Sequence, residues 1–163
     1  MMFVLKSLSG LLLFLFILNC GGGAGPSANL GGGGDGTDYT TEYNNTKTTL
    51  DMIGATTANN AGYTGVGVKV SVVDTGIETS HVEFNSGKTF TGNSYVTGKS
   101  QYDDVHGHGS HVAGIIAANR NGTGMRGVAY GVQHIMSQRI LNDSGATSLA
   151  DSTHANVVNA QRT

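Results

Sequence analysis

Three histidines stand among glycines in the stretch Asp103-Asp104-Val105-His106-Gly107-His108-Gly109-Ser110-His111-Val112-Ala113-Gly114, just ahead of an apolar, alanine-bearing run. Imidazole is the side chain whose ordinary pKa lets it accept and return a proton near neutral pH. Glycine on both sides of His108 permits a tight backbone turn and leaves that ring accessible. Upstream, a valine-rich run ends on Asp74. A carboxylate at the end of a buried strand is costly unless it is hydrogen-bonded or paired, so Asp74 calls for a partner. An acid that orients an imidazole is the pairing used in proton transfer to and from a nucleophile. Two other chemistries stay open at this point: Asp74 as a cap of the turn that follows it, and the three histidines as ligands of a metal ion.

These residues need elements to hold them. Residues 68–73, rich in valine and bounded by glycines, are predicted as a central strand that delivers Asp74 at its end. Thr75-Gly76 breaks that strand, and a loop with short apolar pieces runs on to Asp104. The spacing of Val112, Ile115 and Ile116, with alanines between, predicts a largely buried helix over residues 110–119. Residues 119–127 are polar and glycine-rich, a loop. Residues 135–141 are predicted as a second strand, and residues 148–162 as a helix with Leu149 and Val157 or Val158 inward. Earlier, Leu50, Met52 and Ile53 mark a helix over residues 46–61 that stops at Asn59-Asn60-Ala61-Gly62. Strand, loop, helix, strand, helix is the order of a parallel α/β sheet, whose functional groups gather at the carboxyl ends of the strands.

Here the chain resembles the subtilase family. The aspartate motif stands as Val72-Val73-Asp74-Thr75-Gly76-Ile77 and the histidine motif as His108-Gly109-Ser110-His111-Val112-Ala113-Gly114, acid before base as in subtilisin. The resemblance runs from about Gly62 to Thr163. It implies an α/β, three-layer subtilisin-like fold built on a parallel sheet and incomplete at its C-terminal end, and the activity of a serine-type endopeptidase on a polypeptide substrate. It implies that His108 is the general base that takes the serine proton and later protonates the leaving amine. Asp74 would hold the imidazole in the right tautomer and stabilise the imidazolium. His111, one helical turn on, matches a family residue beside the base and is read as support, while His106 is read as a loop residue. The family also places a calcium ligand where Glu83 stands, and Asn121 falls in the loop that supplies oxygens to the same ion; hard oxygen donors from two loops suit calcium. A solvated Glu83 and a turn-forming Asn121 are the alternative.

The family's glycine-threonine-serine-methionine-alanine run, far beyond the histidine, is absent from these 163 residues, as is its oxyanion asparagine. Gly145-Ala146-Thr147-Ser148-Leu149-Ala150 resembles that run superficially but follows His108 too closely; Ser148, with Asp151 three residues on, is read as a helix N-cap. The chain stops inside a predicted helix with no cap. The expectation is therefore a serine protease cut short before its nucleophile, inactive and marginally stable by itself. Two alternatives remain. One is a non-catalytic lipoprotein that binds peptides along the Gly145 segment. The other is a metallohydrolase using His106, His108 and His111, whose spacing resembles the histidine motif of the metallo-β-lactamase superfamily except that Ser110 stands where an aspartate is expected.

Residues 1–19 hold one cation, Lys6, and an apolar run from Leu11 to Leu18 that is short for a membrane span, as in a secretory signal peptide. Ile17-Leu18-Asn19-Cys20 resembles a bacterial lipobox, with Asn19 in place of the usual small residue; it implies cleavage before Cys20, lipidation there and anchoring to the membrane of a bacterial cell envelope. Simple secretion is the alternative. Cys20 is the only cysteine, so no intrachain disulfide can form. Residues 20–38, mostly glycine with small and polar neighbours, read as a flexible tether, leaving residues 39–163 as a partial catalytic domain. Removing Lys6 with the leader takes the formal charge from −2 to −3, and no basic cluster points to a nucleic-acid partner.

Overall fold

The computed structural model describes residues 40–146. The predicted leader, Cys20, the tether, Ser148 and the helix predicted over residues 148–162 lie outside the described residues. Three strands form a parallel sheet: β1 (Lys69–Asp74), β2 (Thr89–Ser94) and β3 (His134–Arg139). β3 lies between the other two, so β1, predicted as central, is an outer strand of the sheet that the described residues form. Asp74 and Ser94 both register with Arg139, which brings the carboxyl ends of all three strands level. The α/β expectation is met in order and in strand direction.

The helix predicted over residues 46–61 is two helices. α1 (Thr40–Met52) starts earlier, and α2 (Ala55–Asn60) follows a break at Gly54, whose φ of 73° takes the chain out of the helical path. α3 (His108–Ala117) begins two residues sooner than its apolar spacing predicts. It buries Gly109, Ala113, Gly114 and Ala117, while Ile115 is 46% exposed. The small residues face inward because α3 lies very close to the chain after β1: a Cβ on Gly109 would sit 2.1 Å from the Gly76 carbonyl oxygen. Larger side chains are confined to the flanks, where Val112 and Ile116 pack against the core edge.

That core joins Val72 of β1, Ile77, Phe84, Ala113 and Ala117 of α3, Val132 just ahead of β3, and Ile135 within β3. Two elements fall in the stretch predicted as loop. A single 3-10 turn, Val82–Phe84, carries Phe84 inward, where its ring meets Phe90 of β2 edge-on with centroids 5.8 Å apart. β2 alternates exposed and half-buried residues with Phe90 as its only large apolar side chain, so its sequence alone carries little strand signal. β3 supplies the ladder that makes it a strand. No helix among the described residues is long and apolar enough to cross a membrane.

Candidate active site

Asp74 closes β1 and His108 opens α3, and the packing of that helix against that strand brings the two side chains together. His108 Nδ1 lies 2.8 Å from both Asp74 carboxylate oxygens. The Asp74 side chain is 11% exposed and the imidazole 56%. A buried carboxylate bonded to Nδ1 fixes that nitrogen as the proton-bearing one. Nε2 is then the basic nitrogen, and it makes no hydrogen bond to the chain among the described residues. Asp74 is itself held: Thr75 N–H donates to its Oδ1 at 2.7 Å, and its backbone carbonyl accepts from Ile140 and Leu141 N–H.

The surrounding loops are fastened from two sides. Asp104, 9% exposed, accepts from Thr75 Oγ1 (2.7 Å) and Gly107 N–H (3.0 Å) on Oδ1, and from Ser110 N–H (2.8 Å) and Ser110 Oγ (2.6 Å) on Oδ2. The Thr75 hydroxyl in turn accepts from Gly109 N–H at 2.9 Å. From the β3 side, fully buried Arg139 donates through Nη1 to the Ser100 carbonyl (2.9 Å) and the Asp103 carbonyl, and through Nη2 to the Asp143 carboxylate. Gly76 has a φ of 116°, and a Cβ there would lie 2.8 Å from the Asp103 carbonyl, so the 101–104 loop can lie directly on the turn after β1. Arg139 and Asp104 are the residues of this site to which sequence reasoning assigned no part. The partners that tie them across the site, Thr75 for Asp104 and Ser100 and Asp103 for Arg139, are distant in sequence, and the only available signal for Arg139 was a cation at the end of a buried strand.

Comparison with known proteins gives the family. The family model described as "Subtilase family" matches residues 65–161, more than half of the chain. The chain belongs to the subtilase family. Subtilisin DY of Bacillus licheniformis is 42% identical over 97 residues, covering 60% of this chain and 34% of that protein. Subtilisin Savinase of Lederbergia lenta is 42% identical over 101 residues, covering 62% of this chain and 36% of its own length. The minor extracellular protease Epr of Bacillus subtilis is 38% identical over 115 residues, 71% of this chain and 17% of Epr. The chain thus spans about a third or less of these curated relatives. The family is one of serine endopeptidases, and the parallel α/β sheet is that of a partial subtilisin-like fold.

Within this subtilase geometry the other two histidines stand apart. His106 is exposed, its ring edge-on to His108 with centroids 6.2 Å apart. His111 faces a hollow of about 200 Å³ shared with His81, Glu83, Phe84, Ser110, Gly114 and Met125. Among the described residues no group of three or more His, Cys, Asp or Glu side chains is gathered so as to hold a metal ion, and His108 Nδ1 is committed to Asp74.

Glu83 and Asn121 do come together, and a third group joins them. Glu83, 5% exposed, accepts from Met125 N–H at 2.9 Å, and Asn121 Nδ2 lies 3.5 Å from its other carboxylate oxygen. Glu42, reached from α1 and fully buried, accepts from Asn121 and Gly122 N–H on Oε2, each at 2.7 Å, while its Oε1 has no hydrogen-bond partner among the described residues. Burial pushes the Glu42 carboxyl above its ordinary pKa, the two backbone donors and Arg126 pull against this, and the Glu83 charge adds to the rise. Two buried carboxylates with an unpartnered oxygen between a helix and a polar loop form a donor set that fits a hard cation such as calcium. Sequence reasoning placed Glu83 and Asn121 but not Glu42, which lies far upstream in a helix that was predicted to start later.

Proposed function

We propose that this chain carries the acid and base of a serine endopeptidase site that cleaves polypeptides, with Asp74 as the orienting carboxylate and His108 as the general base. The observation that carries the reading is the hydrogen bond of His108 Nδ1 to a buried Asp74, with Nε2 directed away from it and free of the chain among the described residues. In acyl transfer, Nε2 takes the proton of a serine hydroxyl as its oxygen attacks the peptide carbonyl, and returns it to the amine as the C–N bond breaks. Asp74 stabilises the imidazolium formed in between. Residues 1–163 contain no family serine motif, so the reading needs a hydroxyl and an oxyanion donor from further polypeptide.

The fuller assignment follows the same line. Residues 39–163 are part of a catalytic domain, residues 20–38 a tether, and Cys20, after loss of residues 1–19, a lipid attachment point at a bacterial cell envelope. Glu42, Glu83 and Asn121 would hold a calcium ion, whose charge would neutralise the two buried carboxylates and join α1 to the loop after α3. The test is to read the source gene in frame past codon 163, express the product to its stop codon, and treat it with a fluorophosphonate that esterifies activated serines. Labelling that is lost in His108→Ala supports the assignment; a folded product that is never labelled overturns it and leaves a binding protein.

A further inference from the structure

We propose that Asp104 is a positioning residue for His108, acting through the Thr75 hydroxyl to lock the first turn of α3 onto the end of β1. The proposal rests on the reading of Asp74 and His108 as the acid–base pair. An ionised carboxylate only accepts hydrogen bonds, so the Thr75 hydroxyl must donate to Asp104, at 2.7 Å. With its proton so committed, Thr75 Oγ1 is fixed as the acceptor of Gly109 N–H at 2.9 Å. Thr75 N–H meanwhile donates to Asp74 Oδ1. One residue, Thr75, thus touches the carboxylate on one side and the backbone beside the imidazole on the other, and Asp104 decides the direction of its hydroxyl.

The same carboxylate collects Gly107 N–H, Ser110 N–H and Ser110 Oγ. Gly107 is the N-cap of α3 and has no side chain, so Asp104 and Thr75 together satisfy amides that the helix leaves free at its start. The Ser110 hydroxyl, donating to Asp104, accepts from Glu78 N–H at 2.8 Å and draws the segment after β1 into the same set. A plain helix cap would need only the bonds to Gly107 and Ser110. The bond to Thr75 reaches outside the helix: besides holding the Thr75 hydroxyl as the acceptor of Gly109 N–H, it sets a fixed relation between the strand that carries Asp74 and the helix that carries His108.

Thr75→Val and Thr75→Ser separate these roles, because neither alters charge and only the second keeps the hydroxyl. In the full 163-residue chain with ¹⁵N-labelled histidine, the proton shared between His108 Nδ1 and Asp74 gives a low-field resonance that Asp74→Asn removes. The expected result is loss or upfield movement of that resonance in Thr75→Val and its retention in Thr75→Ser, with the methyl resonances of Val72 and Ile77 still dispersed. Asp104→Asn, which keeps shape and removes the obligate acceptor, is the second variant should Thr75→Val not fold, and it is expected to behave like it. In the gene product that hydrolyses peptides, both variants lower kcat and leave KM in place. An unchanged resonance in a folded Thr75→Val or Asp104→Asn protein overturns the proposal. So does unfolding of both variants where Thr75→Ser is stable, which would make the network purely structural. Absence of a low-field resonance that depends on Asp74 in the unaltered chain would instead defeat the acid–base reading beneath it.

Discussion

His108 is more than half exposed while Asp74 beside it is almost enclosed, under a helix that starts close against the end of β1. Gly109 lets α3 approach until a Cβ would lie 2.1 Å from the Gly76 carbonyl and 3.1 Å from Asp74 Cβ. The obstacle is backbone, which cannot swing aside, so Gly109→Ala is expected to cost about 1–3 kcal/mol by forcing the helix outward. It should also stretch the His108–Asp74 bond; thermal unfolding and the histidine resonances measure both effects. Asp104 carries a second prediction. Burial by itself would raise its pKa, but the Ser110 and Thr75 hydroxyls and the Ser110 and Gly107 amides outweigh this and hold it below its ordinary value. A depressed folded pKa gives stability that is present above the unfolded value and lost as pH falls through the folded one, so this contribution fades below about pH 4. Asp104→Asn should flatten that acid limb in a pH series of urea unfolding. Asp74 and His108 were legible in the sequence because each sits in a short motif of its own. Asp104 was in view beside His106 yet had no visible role, because its key partner, Thr75, is 29 residues away.

Among the elements, the segment between β1 and α3 does most to seat the site. Ile77 is fully buried immediately after the turn that follows Asp74, and its N–H bonds the Gln101 carbonyl at 3.0 Å. Ile77→Ala should destabilise the chain by about 2–5 kcal/mol, since the backbone-pinned turn is poorly placed to collapse into the cavity. A shift of the urea midpoint at constant slope is the measure. β1 was readable from its valine run, α3 from Val112, Ile115 and Ile116 with alanines between them, and β3 from the strand pattern over residues 135–141. β2 was not, because Phe90 alone marks its inward side, and its strand character comes from β3. The order of strands was not readable either: the valine-rich composition of β1 fits a central or an outer position equally, and only the pairing puts β3 between β1 and β2. α3 was expected to be largely buried on the spacing of Val112, Ile115 and Ile116, yet Ile115 is 46% exposed, since apolar spacing reports large side chains while this contact requires small ones.

At the scale of the whole molecule, α1 is joined to the loop after α3 chiefly through Glu42. The raised pKa of Glu42 has a definite sign: in the absence of a cation its contribution to stability is full below the ordinary value of 4.5 and is lost as pH rises through the higher folded value. Near neutral pH the cation-free chain is therefore weakened at this joint. Calcium is expected to raise the melting temperature there, by an amount equivalent to about 2.7 kcal/mol at a hundredfold excess over its dissociation constant. Chelation should reverse the gain, and Glu42→Gln with Glu83→Gln should abolish it. Glu42 was illegible beforehand because nothing local distinguishes a ligand from a polar helix residue; only the fold brings it to Asn121. Asp74 and His108 as acid and base of a peptidase is a proposal that kinetics can decide. Its most direct test is the kcat for peptide hydrolysis by the complete gene product beside its Asp74→Asn and His108→Ala forms. Falls of about 10⁴-fold or more are expected with both variants folded, a scale set by triad substitutions in subtilisin and its convergent counterparts rather than by this geometry. Hydrolysis that proceeds undiminished in folded His108→Ala protein would contradict the proposal.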